Sequence, residues 1–272
     1  MSLSQHERRL QANHQNLKPW KGVQPMTNLL DEVIDAHGGL HLWKAVGALR
    51  ATVSLGGPFW DVRAVPADMR TNVTVDVQMQ EQLVSLNQWT DTEHRFVLRT
   101  DPEIATMTAG DFVEPEVRRE PRASFPAESD ARWDRMQANY FVGYALWNYL
   151  TTPYLLTYPG VQTIEMEPWR EGEALWRRLL VHFPPGIATH GPRQVFYFDS
   201  TGLLRRLDYD VEVSASGPAA HYVDDYVDVD GLKFPTRRLV YPRRPDHTPD
   251  RHTFAGPDGT VIDLAIGNIT LK

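Results

Sequence analysis

The run His221-Tyr222-Val223-Asp224-Asp225-Tyr226 holds residue types that general acid–base catalysis often uses. Side chains alternate across a β-strand, so Tyr222, Asp224 and Tyr226 would share one face, with neighbours about 6.6 Å apart. An inward-facing carboxylate between two tyrosines could be a desolvated acid or base with a raised pKa. The alternative is a Tyr–Asp alternation on a solvent-exposed face, with the opposite face of the strand in the core.

His182 is a second candidate for catalysis, since it is a lone histidine in the apolar segment 179–183. A catalytic histidine and a structural histidine with satisfied ring nitrogens are both compatible with that setting. If the protein is an enzyme, the sequence therefore predicts Tyr222, Asp224, Tyr226 and His182 as its catalytic residues.

The segment 246–252, DHTPDRH, combines nitrogen and oxygen ligands of the kind that bind divalent metals. Its spacing matches no known ligand pattern, so we predict no metal site there. The sequence also lacks the nucleophile-elbow, phosphate-loop, zinc-protease and dinucleotide-binding motifs. It has no cysteine, which excludes disulfides, thiolate nucleophiles and Cys-ligated metals. We therefore expect no cofactor.

The charge and the start of the sequence limit the partners and the compartment. A formal net charge of −7, without a run of Lys or Arg, argues against nucleic-acid binding. Residues 1–20 are polar and lack the apolar region of a secretory signal. No stretch of about 18 apolar residues occurs elsewhere. These features predict a cytoplasmic protein without a transmembrane segment.

The strongest helical pattern spans about residues 129–150. Large side chains recur at helical spacing on one broad face, with Asp130, Asp134 and Arg135 on the other. The large side chains are Trp133, Met136, Tyr140, Phe141, Tyr144 and Trp147. Aromatic residues with N–H and O–H groups line many apolar ligand cavities, so we predict that these six residues bind a ligand. A core packed with large side chains is the alternative.

Most of the remaining chain has the composition of β-strands separated by turns. Strands are predicted at 49–55, 59–65, 69–79, 82–86, 95–99, 163–169, 175–183, 195–198, 204–213, 219–229, 233–241 and 261–271. Short helices are predicted from residue 27 and at 40–46. Residues 100–127 contain several prolines and are predicted to form a long loop.

Two hairpins, FDSTGLL at residues 198–204 and DGLKFPT at 230–236, resemble those of the LolA/LolB-like family of bacterial lipoprotein carriers and sorting proteins. The resemblance implies a mainly β (α+β) fold, in which a curved antiparallel sheet forms a half-barrel. Helices would cover its concave side around an apolar cavity. We predict an N-terminal arm at residues 1–24 and one such domain at 25–272, with a helical and loop insert at about 100–155.

Three classes of function fit this interpretation. The leading hypothesis is a soluble carrier or binding protein for a hydrophobic small molecule or lipid in the half-barrel cavity. The second is a cofactor-independent enzyme, such as a cyclase, isomerase or dehydratase, acting on an apolar substrate in the same cavity. The third is an interaction module that presents a sheet edge or the segment 100–127 to a protein partner.

Overall fold

The structure is a computed structural model that describes residues 28–88, 94–100, 103–110, 113–213, 216–252 and 256–272. The arm predicted at residues 1–24 lies outside these ranges. The described residues form one large antiparallel sheet together with four α-helices. Strands from both halves of the chain therefore share a single sheet.

The sheet has thirteen strands in the described part of the chain. They are β1 (Ala48–Gly56), β2 (Val73–Gln78), β3 (Leu83–Gln88), β4 (His94–Thr100), β5 (Glu103–Ala109), β6 (Glu116–Arg119), β7 (Gln162–Glu171), β8 (Ala174–His182), β9 (Arg193–Phe198), β10 (Leu204–Asp210), β11 (Pro218–Val229), β12 (Leu232–Pro242) and β13 (Ile262–Leu271). Every second residue of β2, namely Val73, Val75 and Val77, is buried, so one face of this strand contributes to the core. The predicted mainly β fold is confirmed.

Strands that are adjacent in the sheet are also consecutive along the chain, with one exception. The strands run in the order β6-β5-β4-β3-β2-β1-β13-β12-β11-β10-β9-β8-β7, so the first and last strands pair in the middle. β6 and β7 are the two edges, and no pairing joins them among the described residues. The sheet is therefore an open half-barrel, as predicted.

The segment between the two edges leaves the sheet and contains the longest helix, α4 (Arg135–Thr151). It starts at a capping box, in which the Asp134 side chain accepts from the backbone N–H of Gln137 and the Gln137 side chain accepts in return. It ends at Thr152, because a residue before proline is disfavoured in the helical region. The helix is thus shorter at its start than the predicted 129–150.

Every residue of α4 except Arg135 is buried. The helix packs against β2–β5, and the Trp147 indole donates to the Gln78 carbonyl at 2.9 Å. The predicted division into an apolar and a polar face is therefore wrong. Asp134 caps the helix and Asp130 precedes it, whereas the sheet and the flanking segments enclose the rest.

Three shorter helices come earlier in the chain: α1 (Leu29–Ala36), α2 (Leu40–Ala45) and α3 (Phe59–Val62). The Asn28 side chain caps α1. α3 replaces the strand predicted at 59–65. Pro58 starts a helical turn there with φ of −67°, and the buried Trp60 donates its indole N–H to the Gly56 carbonyl at 3.0 Å.

Strands β5 and β6 occupy part of the segment predicted as a long loop at 100–127. β5 pairs with β4, and β6 pairs with β5. Pro115 precedes β6 and Pro121 follows it, so these prolines bound a short strand. Such a strand is tolerated at the sheet edge, where one side needs no ladder hydrogen bonds.

Candidate ligand cavity

A cavity of about 350 Å³ lies where one end of the sheet meets α3 and α4. Its apolar walls include Phe59, Val62, Phe141, Val211, Val240 and Ile262. Its polar side chains are those of Arg63, Ser129, His190, Tyr209, Ser216 and Tyr241. Mostly apolar walls, a few convergent polar groups and a volume of about 300–1,000 Å³ are typical of small-molecule sites.

A smaller pocket of about 20 Å³, named here the inner pocket, shares part of its lining with this cavity. Phe141, Val240 and Ile262 border both spaces. Other side chains around the inner pocket include Tyr149 from α4, His221 from β11 and Arg238 from β12. A space of about 10–15 Å³ is enough for one water-sized group. The cavity therefore adjoins a small, mostly apolar pocket that two buried polar side chains, His221 and Arg238, also border.

A chain of buried hydrogen-bonding side chains connects α4 with β11 beside these spaces. The Tyr144 hydroxyl is 3.0 Å from Nδ1 of His190, and the Tyr149 hydroxyl is 2.8 Å from Nε2 of the same ring. Tyr209 stacks on His190 with ring centroids 4.2 Å apart. The Tyr209 hydroxyl lies 3.1 Å from Nδ1 of His221. Of the polar side-chain atoms in this chain, Nε2 of His221 lacks a hydrogen-bond partner.

Burial keeps this chain of side chains uncharged near neutral pH. Burial, together with the charge of Arg122, lowers the pKa of His190 to about 3. Burial also lowers the pKa of His221 well below its ordinary value and raises the pKa of Tyr149 to about 12. Neutral imidazoles and phenols both donate and accept hydrogen bonds, so they can orient a polar ligand group without adding charge.

Arg238 supplies the positive charge at the inner pocket. The residue is only 1% exposed, and its guanidinium carbon lies 4.5 Å from the centroid of the Tyr149 ring. Burial lowers its pKa to about 10, so it stays protonated at neutral pH. Nη2 donates to the Tyr149 carbonyl at 3.0 Å, whereas Nε and Nη1 have no hydrogen-bond partner. The inner pocket thus combines a buried cation with unpaired donor nitrogens.

All six predicted ligand-binding side chains are buried. Phe141 borders both the cavity and the inner pocket. Tyr144 contacts the cavity-lining His190 through its hydroxyl. Neither space is bordered by the other four, Trp133, Met136, Tyr140 and Trp147. Only Phe141 of the six therefore lines these two spaces, and ligand binding by the set stays a prediction.

The predicted catalytic face of β11 has a different environment from the one that catalysis requires. The Asp224 side chain is 72% exposed and pairs with Arg205 at 2.9 Å. The Tyr222 hydroxyl donates to Glu171 at 2.7 Å, and the Tyr226 hydroxyl donates to a backbone carbonyl of β10 at 2.8 Å. Asp224 is therefore not a desolvated, inward-facing carboxylate between two tyrosines.

His182 lies apart from these residues. It is exposed at the end of β8, and Nδ1 is 3.3 Å from the Pro192 carbonyl. It borders a separate groove of about 670 Å³, which contains the Arg122–Glu212 ion pair at 2.8 Å. The structure thus does not assemble the four predicted catalytic residues into one site.

The segment 246–252 uses its polar groups in local contacts. The Asp246 carboxylate accepts from the Thr248 backbone N–H at 3.0 Å, and the His247 carbonyl accepts from the buried Arg206. In the part of the chain that the structure describes, no group of three or more His, Asp or Glu residues could hold a metal ion.

Sequence reasoning misses His190, Tyr209 and Arg238 as members of a site. The sequence does contain a signal for Arg238. It is an even number of residues from Phe234 and Val240 on β12, so it lies on the same buried face of the strand. A charged residue on the core-facing side of a strand indicates a partner or a ligand. His190 has no such signal, since it lies in the connection between β8 and β9, where no periodicity places it.

No protein-family model and no curated protein matches the chain. Solved structures similar to it include a LolA superfamily protein from Nitrosomonas europaea, with 13% identity, coverage of 89% of this chain and 92% of that chain, and a TM-score of 0.44. A putative outer membrane lipoprotein-sorting protein domain from Vibrio parahaemolyticus has 9% identity, coverage of 90% and 91%, and a TM-score of 0.43. A DUF1329 family protein from Desulfovibrio piger has 11% identity, coverage of 90% and 92%, and a TM-score of 0.40.

The resemblance to LolA/LolB-like proteins predicted from the two hairpins is confirmed by these neighbours. The chain is thus similar in fold to the LolA-like open half-barrels. The likeness concerns the fold alone, so the function has to be inferred from the residues of this chain.

The prediction of a cytoplasmic protein is wrong in the light of the same comparison. One similar structure is described as an outer membrane lipoprotein-sorting protein domain, which refers to a compartment outside the cytoplasm. The polar start of the sequence therefore does not establish the compartment. Among the residues described, no helix has the length and apolar character needed to span a membrane.

Proposed function

We propose that the protein is a carrier or binding protein that holds a hydrophobic small molecule or lipid in the cavity between α3, α4 and the sheet. The observation that carries this proposal is the cavity of about 350 Å³ with mostly apolar walls. Moving an apolar ligand from water onto such walls contributes about 25 cal/mol per Å² of apolar surface removed from water.

Several walls of the cavity belong to packed secondary structure, which supports a pre-formed site. Phe141 belongs to the buried helix α4, and Ala219 and Val240 belong to the paired strands β11 and β12. Little ordering is then required when a ligand enters, so less binding free energy is lost to conformational entropy.

The alternative of a cofactor-independent enzyme has weaker support, since the structure brings only Tyr222 and Asp224 of its predicted residues to one groove, of about 610 Å³. Its predicted acid or base, Asp224, is exposed, and His182 borders another groove. The binding hypothesis needs only the cavity and its walls.

Titration with the uncharged fluorescent probe N-phenylnaphthylamine tests the proposal. We expect saturable binding to the wild type, and an affinity at least about tenfold lower for Ala219→Leu, equivalent to about 1.4 kcal/mol. The reason is that Ala219 lines the cavity, where a leucine would occupy ligand space.

Ala174→Leu is the matched control, because Ala174 is exposed at the start of β8 and does not line the cavity. It should bind the probe like the wild type. Absence of saturable binding, or equal binding by Ala219→Leu in a folded state, would remove this cavity as the ligand site.

A further inference from the structure

Two arginines in the described chain are almost completely buried on strands of the same sheet, but their surroundings differ. Arg206 on β10 pairs with Asp208 at 2.7 Å and with Glu171 at 3.2 Å. Arg238 on β12 has no carboxylate partner among the described residues, and the only groups that raise its pKa are tyrosines. A buried cation is costly unless an opposite charge or several hydrogen bonds compensate it.

Part of the role of Arg238 is structural. In α4 the Tyr149 carbonyl would normally accept from the N–H of residue 153, but Pro153 has no N–H. Nη2 of Arg238 supplies that hydrogen bond at 3.0 Å. This contact accounts for one donor nitrogen and leaves Nε and Nη1 without partners.

His221 adds a further unpaired group at the same place. It is fully buried, its Nδ1 is 3.1 Å from the Tyr209 hydroxyl, and its Nε2 has no hydrogen-bond partner. When Nδ1 accepts from Tyr209, Nε2 carries the proton and becomes a donor. Because His221 is opposite Val240 in the ladder and Arg238 is two residues from Val240, both side chains border the inner pocket.

We propose that the ligand is an amphipathic acid, whose apolar part occupies the larger cavity and whose anionic headgroup, a carboxylate, directs one oxygen into the inner pocket towards Arg238 and His221. This inference rests on the proposed function and specifies its ligand class. A carboxylate accepts hydrogen bonds through two oxygens, which suits the unpaired nitrogens, and it neutralises the buried cation. Phe141, Val240 and Ile262 form the boundary that this oxygen passes.

Three ligands with the same chain length and different headgroups separate the contribution of the headgroup to affinity from that of the tail. Dodecanoate, dodecanol and dodecylammonium compete against N-phenylnaphthylamine on the wild-type protein below their aggregation concentrations. We expect dodecanoate to bind at least about tenfold more tightly than dodecanol, because charge-assisted hydrogen bonds exceed neutral ones. Dodecylammonium should bind most weakly, because it brings a second cation to Arg238.

Substitutions of Arg238 test whether this residue binds the headgroup. Arg238→Gln removes the charge but keeps an amide donor, and it should reduce the preference for dodecanoate over dodecanol to less than about threefold. Arg238→Lys should restore part of the preference. Arg237→Gln is the matched control, since Arg237 is the neighbouring residue on β12, is exposed and pairs with Asp263 at 3.4 Å.

The outcomes separate this inference from the proposed function. Equal affinity of the wild type for dodecanoate and dodecanol overturns the inference and leaves apolar binding intact. Failure of all three compounds and of the probe to bind overturns the proposed function itself. If Arg238→Gln does not fold, the wild-type series decides, and His221→Phe provides a second variant, which should weaken dodecanoate more than dodecanol.

Discussion

At the scale of single residues, the buried histidines of this protein are neutral and bonded to neutral partners. His190 lies between two tyrosine hydroxyls, and Nδ1 of His37 is 2.8 Å from the Val33 carbonyl. Burial is the largest cause of the lowered pKa in both rings, as it is for His221. The folded state therefore resists protonation of these rings, while the unfolded chain does not.

This difference predicts a loss of stability at mildly acidic pH. Burial lowers the pKa of His37 to about 4 and that of His190 to about 3. An unfolded histidine titrates near pH 6.5, so the unfolded state binds more protons between about pH 6.5 and these lowered values. The free energy of unfolding should fall as pH decreases below about 6.5, by up to about 1.4 kcal/mol per pH unit for each buried histidine.

Urea unfolding at several values between about pH 7 and about pH 5.5 measures this slope. His190→Gln should have a shallower slope than the wild type, because it removes one such group. His182→Gln should retain the wild-type slope, because His182 is exposed. A slope unchanged by His190→Gln would mean that His190 is not held neutral in the folded protein.

At the scale of secondary-structure elements, α4 packs against β2–β5 and also forms one wall of the cavity. Its burial on all sides explains why the helix has no solvent-exposed polar face. Only Phe141 of this helix, among the predicted ligand-binding residues, borders the cavity. We therefore predict that Tyr144 contributes mainly to stability and that Phe141 contributes to the ligand site.

Replacement of Tyr144 tests this division. Tyr144 is fully buried and packs edge-on against Tyr140, with ring centroids 5.2 Å apart. We expect Tyr144→Ala to lower the free energy of unfolding by about 3–5 kcal/mol, the range for deleting a buried aromatic ring. Tyr144→Phe removes only the hydroxyl and should cost about 0.5–1.5 kcal/mol.

The urea midpoints of Tyr144→Ala and Tyr144→Phe measure these losses of stability. A loss of only about 1 kcal/mol for Tyr144→Ala would show that little native packing is removed, as expected for a side chain facing an open pocket. In that case the ligand cavity would have to extend along more of α4 than Phe141.

At the scale of the whole molecule, the half-barrel has a strong centre and two weak edges. β1 and β13 pair with each other and each has a second neighbour, whereas β6 and β7 each have one neighbour in the described sheet. Ile164 on β7 and Leu175 on β8 are more than half exposed. An unpaired edge with exposed apolar side chains is also the feature on which the interaction-module hypothesis depends.

Hydrogen–deuterium exchange with mass spectrometry tests this layout. Backbone amides of β1 and β13 should exchange slowest, and those of β6 and β7 much faster, because edge strands lack hydrogen-bond partners on one side. A dilution series of the same protein is the control for self-association. Protection of β7 equal to that of β1, lost on dilution, would favour a second copy on that edge and the interaction-module function.

Much of the element level follows from local sequence. The β11–β12 hairpin depends on Asp230-Gly231, two residues with positive φ of 51° and 87°, which such a turn requires. The end of α4 depends on Pro153, and its start on Asp134 with Gln137. These signals are short-range, so one amino-acid sequence is enough to detect them.

The composition of the candidate ligand site, in contrast, depends on the tertiary structure. The inner pocket is bordered by residues 149, 221 and 238, which belong to three different elements. Its proposed role depends on the two nitrogens of Arg238 that have no hydrogen-bond partner. No local pattern encodes the absence of a carboxylate near a given arginine, because that depends on packing across the sheet. Arg206 and Arg238 look alike as charged residues within strands, yet only Arg206 is paired with acids. The sequence by itself determined most of the strands, the β11–β12 turn and the caps of α4, which are governed by local chemistry, but not β5, β6 or α3. Only the folded sheet, which brings distant strands to one buried face, decided which polar residues remain available to a ligand.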